Sequence, residues 1–295
     1  MFATKLRRKE NIKTIARFSF KTAASLSYKI HGEAHSDEPT VLLFHGLLSS
    51  KKHWDSIGKT ILNVTKRAVV SVDLRNHGDS PHTNSHKYED LAEDILKLLD
   101  KLSITRASFV GHSMGGRAAM TVSLMAPETV AGLLVVDISP ISNSTQLTDY
   151  YPRVLEAMRG VDFKKQKKIS TAKQKAKKQL ENIIKDDILM RAVLSNVKMK
   201  PDHTIGWACN VDILIKHFNY ITTFPENVLK KRYYGPTLFM GGQLSEYLPP
   251  DDLVGIREMF PRAVITYVPQ VGHNIHVEDP KTFLELTISF LRTNK

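Results

Sequence analysis

Residues 107–116 read Ala-Ser-Phe-Val-Gly-His-Ser-Met-Gly-Gly, a G-x-S-x-G pattern set directly after a short apolar run. The run predicts a buried strand, and Met114 to about Met125 predicts the helix that follows. A serine on so sharp a strand-to-helix turn presents its hydroxyl away from the sheet, at the N-terminus of the helix. Gly111 and Gly115, two positions either side, let the two backbones approach closely enough to make that turn. Ser113 is therefore the candidate nucleophile.

Outward from this point the chain alternates strand and helix patterns, which predicts an α/β fold with a mostly parallel sheet flanked by helices. Leu26 to Ile30 alternates like an edge strand, whereas Val41 to Phe44 is solidly apolar, as a strand covered on both faces should be. Ala68 to Val72, Leu133 to Val136, Thr237 to Met240 and Val264 to Val268 supply further strands. Leu91, Ile95, Leu98, Leu99 and Leu102 form a helical stripe within Tyr88 to Leu102, and Thr282 to Leu291 closes the chain as a helix. Between Ser139 and about Tyr234 the strand rhythm stops. A Lys-rich segment with helical patterns such as Ala172 to Ile184 is expected to form a cap over about residues 140–234.

The chain has 295 residues, 42% of them hydrophobic, enough for a sizeable core. Its single cysteine, Cys209, excludes an intramolecular disulfide and cysteine-built zinc clusters. No run of 18 apolar residues is present, so no transmembrane helix is expected. The net charge of +12 is unevenly placed: residues 1–30 carry +7 and residues 150–200 carry +9, leaving the remainder at −4. No nucleic-acid recognition motif accompanies the charge. The first segment, residues 1–25, interleaves Lys5, Arg7, Arg8, Lys9, Lys13, Arg17 and Lys21 with Phe2, Leu6, Ile12, Ile15 and Phe18, and has only Glu10 as an acid. It reads as a mitochondrial presequence ahead of a domain spanning residues 26–295, with a plain basic tail as the alternative. The Lys-rich stretch 164–178 reads first as a solvated helix face, and second as a surface for peripheral contact with anionic lipid.

A serine hydroxyl needs a base, and the base needs an acid that holds its tautomer. The base should follow the last strand, where Gly272-His273 stands; His276 is the close competitor. The acid is usually expected after the strand Thr237 to Met240, but that loop reads Gly241-Gly242-Gln243-Leu244-Ser245-Glu246, with Ser245 about where an aspartate would be. Asp137 ends the preceding strand, and adjacent strand ends lie about 5 Å apart. Asp137 is therefore the preferred acid, Glu246 the second and Asp212 the third. The oxyanion that forms on acyl transfer needs two donors. The Met114 N–H is one, and the loop His45-Gly46-Leu47-Leu48 offers the other, with Leu47 preferred. Asp73-Leu74-Arg75-Asn76-His77-Gly78-Asp79-Ser80 reads as a polar turn network bracing these loops. This chemistry calls for neither a metal nor a cofactor.

The chain resembles the α/β-hydrolase superfamily, and more narrowly the alpha/beta hydrolase domain-containing protein 11 group with its bacterial esterase and yeast ethanol acetyltransferase relatives. The resemblance is carried by Phe44 to Lys51, Asp73 to His82, Gly111 to Gly116, Asp137-Ile138-Ser139-Pro140 and Gly272 to His276. It implies an α/β-hydrolase fold and a serine esterase or lipase acting on lipid esters such as diacylglycerol, or on short acyl esters. It also implies a mitochondrial address and a triad acid at Asp137. An acyltransferase using the same residues and a non-enzymatic mitochondrial binding module are the alternatives. The chain departs from the family pattern at Asn274, where an aromatic is common, and at Gly241-Gly242-Gln243, where Asn is common.

Overall fold

The computed structural model describes residues 22–32 and 37–294; most of the expected presequence lies outside the described residues. Seven strands form one sheet: β1 (Tyr28–Ile30), β2 (Thr40–Phe44), β3 (Val69–Val72), β4 (Ala107–His112), β5 (Val130–Val136) and, after a two-stranded excursion, β8 (Thr237–Gly242) and β9 (Ala263–Val268). Their order is β1-β3-β2-β4-β5-β8-β9, antiparallel only at β1 and parallel from β3 to β9. The expected sheet is observed. The central strands β4, β5 and β8 are buried along their whole length, as their unbroken apolar runs require.

Helices cover both faces. On one side α1 (Asp55–Thr65) and the last helix, Pro280–Thr293, pack Trp54, Ile57, Ile61, Phe283 and Leu291 against the sheet. On the other lie α2 (Tyr88–Lys101) and α3 (Met114–Met125). α3 has eleven residues buried, because the sheet, α2 and the cap enclose it. Thr22 to Ala24, which the sequence assigns to the leading segment, are tied to α2 instead. Asp94 accepts from the Ala24 amide at 2.5 Å, and Lys97 donates to the Ala23 carbonyl at 2.6 Å.

The chain leaves the sheet after β5 and returns at β8, and the excursion forms the cap. It contains α4 (Tyr151–Arg159), α5 (Ile169–Leu180), α6 (Asp187–Ser195), α7 (Val211–Lys216) and α8 (Phe218–Thr222). It is not wholly helical, contrary to the periodicity: β6 (Val197–Met199) and β7 (Ile205–Trp207) pair as an antiparallel hairpin. Strands of three residues are too short to display alternation, and Gly206 at the centre of β7 reads as a breaker. α5 buries Ala172, Ala176 and Leu180 and leaves Lys177 and Lys178 exposed. The chain then closes through α9 (Leu253–Met259), α10 (Ile275–Glu278) and α11 (Pro280–Thr293). Among the described residues, no helix is long and apolar enough to cross a membrane.

Candidate active site

Parallel pairing brings the C-terminal ends of β2, β4, β5 and β8 to one edge of the sheet, in the register Phe44↔Gly111, His112↔Val136 and Val136↔Met240. Ligands and catalytic groups in open α/β sheets gather outside that edge. Ser113 sits there between β4 and α3 at φ 52° and ψ −121°, a backbone conformation that L side chains rarely adopt. The surroundings enforce it. A Cβ on Gly111 would come within 2.4 Å of the Gly115 carbonyl, and one on Gly115 within 2.6 Å of the carbonyls of Phe44 and His45. Glycine is required at both positions by close backbone approach.

Asp137 follows β5 directly. It too has a positive φ, 52°, and its side chain is fully buried. Its amide donates to the Met240 carbonyl at 2.8 Å, which ties the strand end to β8. The carboxylate has three donors: the Gly242 amide at 2.8 Å, the Ser245 hydroxyl, and His273 Nδ1 at 2.7 Å. Because a carboxylate only accepts, the last bond keeps the proton on Nδ1 and leaves the His273 Nε2 lone pair free. The Tyr247 ring stacks on His273, centroids 3.7 Å apart at 19°. His273 and Ser113 line one crevice of about 40 Å3 with Leu47, Tyr151, Ile188 and Leu189.

None of the other sequence candidates bonds to Asp137, although His276 lines the same crevice. His276 is buried, stacked on Trp54 at 4.8 Å, and its Nδ1 has no partner. Burial, and then its neighbours His53 and His273, push its pKa down to about 3. Glu246 is exposed and accepts from Thr145 Oγ1 at 3.1 Å, and Asp212 lies exposed at the start of α7. Neither bonds to His273.

The loop after β2 carries Leu47. His45 and His77 hold it: the Leu74 amide donates to His45 Nε2 at 3.0 Å, and the Leu48 amide to His77 Nε2 at 3.2 Å. His45 Nδ1 donates to the Gly46 carbonyl at 2.8 Å. The Ser49 amide closes the turn on the Gly46 carbonyl at 3.2 Å, so the Leu47 amide takes part in none of these bonds. The Met114 amide is in the first turn of α3, where N–H groups have no intrahelical acceptor. The Asp73 to Ser80 run does brace these loops. Asp73 accepts from the Lys51 amide and ammonium at 2.6 and 2.5 Å, and Arg75 pairs with Asp94 at 2.6 Å.

Three contributors escape sequence reasoning. The Ser245 hydroxyl supports the acid from the loop where an acid was looked for. His112 Nε2 donates to the His273 backbone carbonyl at 3.0 Å, fixing the loop that carries the histidine. Arg117 on α3 is buried and donates to the carbonyls of Ser139, Ser142, Ile221 and Thr222 between 2.8 and 3.1 Å, which joins the helix of Ser113 to the cap. The only signal for these was polarity inside apolar patterns. Above the crevice the cap and the His273 loop form a wider mouth of about 670 Å3, lined by Asp149, Asp186, Glu246 and Glu278 against one cation, Arg153.

The chain is 37% identical over 253 residues to the sn-1-specific diacylglycerol lipase ABHD11 of Mus musculus, covering 86% of this chain and 81% of the relative. It is 28% identical to Ethanol acetyltransferase 1 of Eremothecium cymbalariae, over 88% of this chain and 76% of that one. A solved marine microorganism esterase superposes with a TM-score of 0.82 at 29% identity, covering 91% of this chain and 100% of the esterase. Residues 39–280 match the alpha/beta hydrolase fold family. The chain belongs to the alpha/beta hydrolase fold family, among its lipase- and esterase-type enzymes.

Proposed function

We propose that the chain hydrolyses carboxylic esters with Ser113 as nucleophile, His273 as base and Asp137 as the acid that orients it. The bond of 2.7 Å between Asp137 and His273, in the crevice that holds Ser113, carries this reading. Ser113 Oγ attacks the acyl carbonyl as His273 Nε2 takes its proton, and the amides of Leu47 and Met114 hold the oxyanion. The imidazolium then gives that proton to the leaving alcohol. Water, deprotonated in turn by His273, attacks the acyl-serine and frees the carboxylic acid. Relatives named as diacylglycerol lipases make lipid esters one candidate class. A crevice of about 40 Å3 suits short acyl groups, and a longer acyl chain would extend beyond it into an adjoining cavity. The test is a p-nitrophenyl ester series from acetate to palmitate, with a fluorophosphonate probe. Turnover and Ser113 labelling are expected, both abolished in Ser113→Ala; full turnover in that variant overturns the assignment.

A second reading keeps the acyl-serine and changes the acceptor. The similarity to an ethanol acetyltransferase favours it. Ester formed against acid released, measured with added alcohol, separates the two. We further propose a mitochondrial address carried by the basic leader, ending before Ala23 because Ala23 and Ala24 are bonded to α2. The exposed lysines of α5 supply a surface for anionic lipid. Import into isolated mitochondria, and vesicle binding with and without anionic lipid, test these two assignments.

A further inference from the structure

Beside the crevice that holds Ser113 lies another cleft, of about 440 Å3, and His53 and Ala192 form a wall common to both. Its charge is opposite to that of the mouth. Lys52, Arg191 and Lys198 line it, with Asp73 and Asp79. Both carboxylates are already engaged. Asp73 pairs with Lys51 Nζ at 2.5 Å, and Asp79 with Lys51 at 2.8 Å and Lys198 at 3.4 Å. Lys51 and Lys198 thus balance the two acids. Among the described residues, Lys52 and Arg191 pair with no carboxylate. Both stand on elements that also build the crevice. Lys52 precedes the shared wall residue His53, and Arg191 precedes Ala192 on α6, the helix whose Ile188 and Leu189 face Ser113.

An ester lying across Ser113 therefore meets carboxylates on one side and unpaired cations on the other. We infer that this cleft is a subsite for the anionic end of the substrate, a carboxylate or phosphate carried several bonds from the scissile carbonyl. The inference rests on the ester-hydrolase reading and adds a substrate class to it. The Arg191 guanidinium can grip either group through two parallel N–H donors, and Lys52 adds a point charge. The mouth repels the same group, which sets the direction in which the ester lies. The anion can belong to the acyl part, as in a half ester of a dicarboxylic acid, or to the alcohol part, as in a phosphoglycerol ester. Both cations are exposed, so the attraction is modest and screened by salt.

The experiment compares matched pairs on the full chain at low ionic strength: p-nitrophenyl hemiglutarate against p-nitrophenyl valerate, and butyryl glycerol 3-phosphate against monobutyrin. The charged member of at least one pair is expected to have a kcat/KM about tenfold higher, the difference lying in KM. Which pair responds identifies the part of the ester that carries the anion. Lys52→Gln/Arg191→Gln should erase the preference and leave neutral esters unaffected, Arg191→Lys should keep much of it, and 0.5 M salt should flatten it. Equal or better use of both neutral esters by the wild type overturns the inference, as does a preference that survives in the double variant. If no ester of either kind is turned over, the ester-hydrolase reading falls, and the subsite with it.

Discussion

Ser113 and Asp137 end adjacent strands and share the same left-handed backbone angle, φ 52°. Each is held by bonds to its neighbours: Ser113 N to the Val136 carbonyl at 2.9 Å, Asp137 N to the Met240 carbonyl at 2.8 Å. At this scale the chemistry is most easily perturbed. Asp137→Asn keeps shape and burial but removes the charge and the preference for Nδ1–H, so kcat should fall by about 10⁴ with little change in Tm. Ser245→Ala removes one donor from the Asp137 carboxylate and should lower kcat roughly tenfold, with recovery in Ser245→Thr, measured on a short acyl ester. Gly111→Ala would force a Cβ to within 2.4 Å of the Gly115 carbonyl, so a loss of about 1–3 kcal/mol is expected in urea unfolding.

Arg117 shows what one side chain does between elements. It is a buried cation whose partners include carbonyls and the Asn143 side-chain oxygen, drawn from the loop after β5 and from α8, together with the Tyr88 hydroxyl of α2. Arg117→Met orphans several of those oxygens at once. A loss on the order of 3 kcal/mol is expected, with faster limited proteolysis of the cap than of the sheet. The N-terminal edge makes a second test. A chain starting at Leu26 should melt below one starting at Thr22, because Asp94 loses the Ala24 amide and Lys97 loses the Ala23 carbonyl. The elements themselves were mostly legible in sequence. Expected strands and helices match the observed ones to within a few residues, since parallel strands covered on both faces and long amphipathic helices leave strong periodic marks. The β6–β7 hairpin was not legible, because two three-residue strands leave no such mark.

Across the whole molecule the site depends on neutral, buried imidazoles. Burial is the leading cause that pushes His77 and His276 down to about 3, and drives His86 and His112 well below the ordinary histidine value. In the unfolded chain these groups take protons below about pH 6.5, whereas in the folded protein His77 and His276 do not until about pH 3, and His86 and His112 are held neutral in the same direction. Stability should therefore fall as pH drops through that window, on the order of 1 kcal/mol per pH unit for each histidine. Urea midpoints at pH 7.5, 6.0 and 5.0 measure it, and His276→Phe should flatten the slope. The structure brings Ser113, Asp137 and His273, which the sequence singled out, to one sheet edge because each follows a strand there. The sequence placed Ser245 without giving it a role, and it was silent on His112, Arg117 and the facing charges of the two cavities, because those depend on contacts between segments distant in the chain.

The position of Asp137 on a strand end, with the loop after β8 supplying only a hydroxyl and an amide, divides two duties that one loop would otherwise share. Residues 243–247 need not carry a charge for His273. Gln243, Leu244 and Glu246, exposed at the rim of the mouth, are free to change composition, provided Ser245 keeps its place against Asp137 and Tyr247 its stack on His273. Under the proposed reaction, variation in that loop would retune which alcohols leave, while Ser113 and Asp137 stay fixed at the ends of β4 and β5. For directed evolution, this rim is the segment where diversity should be introduced first.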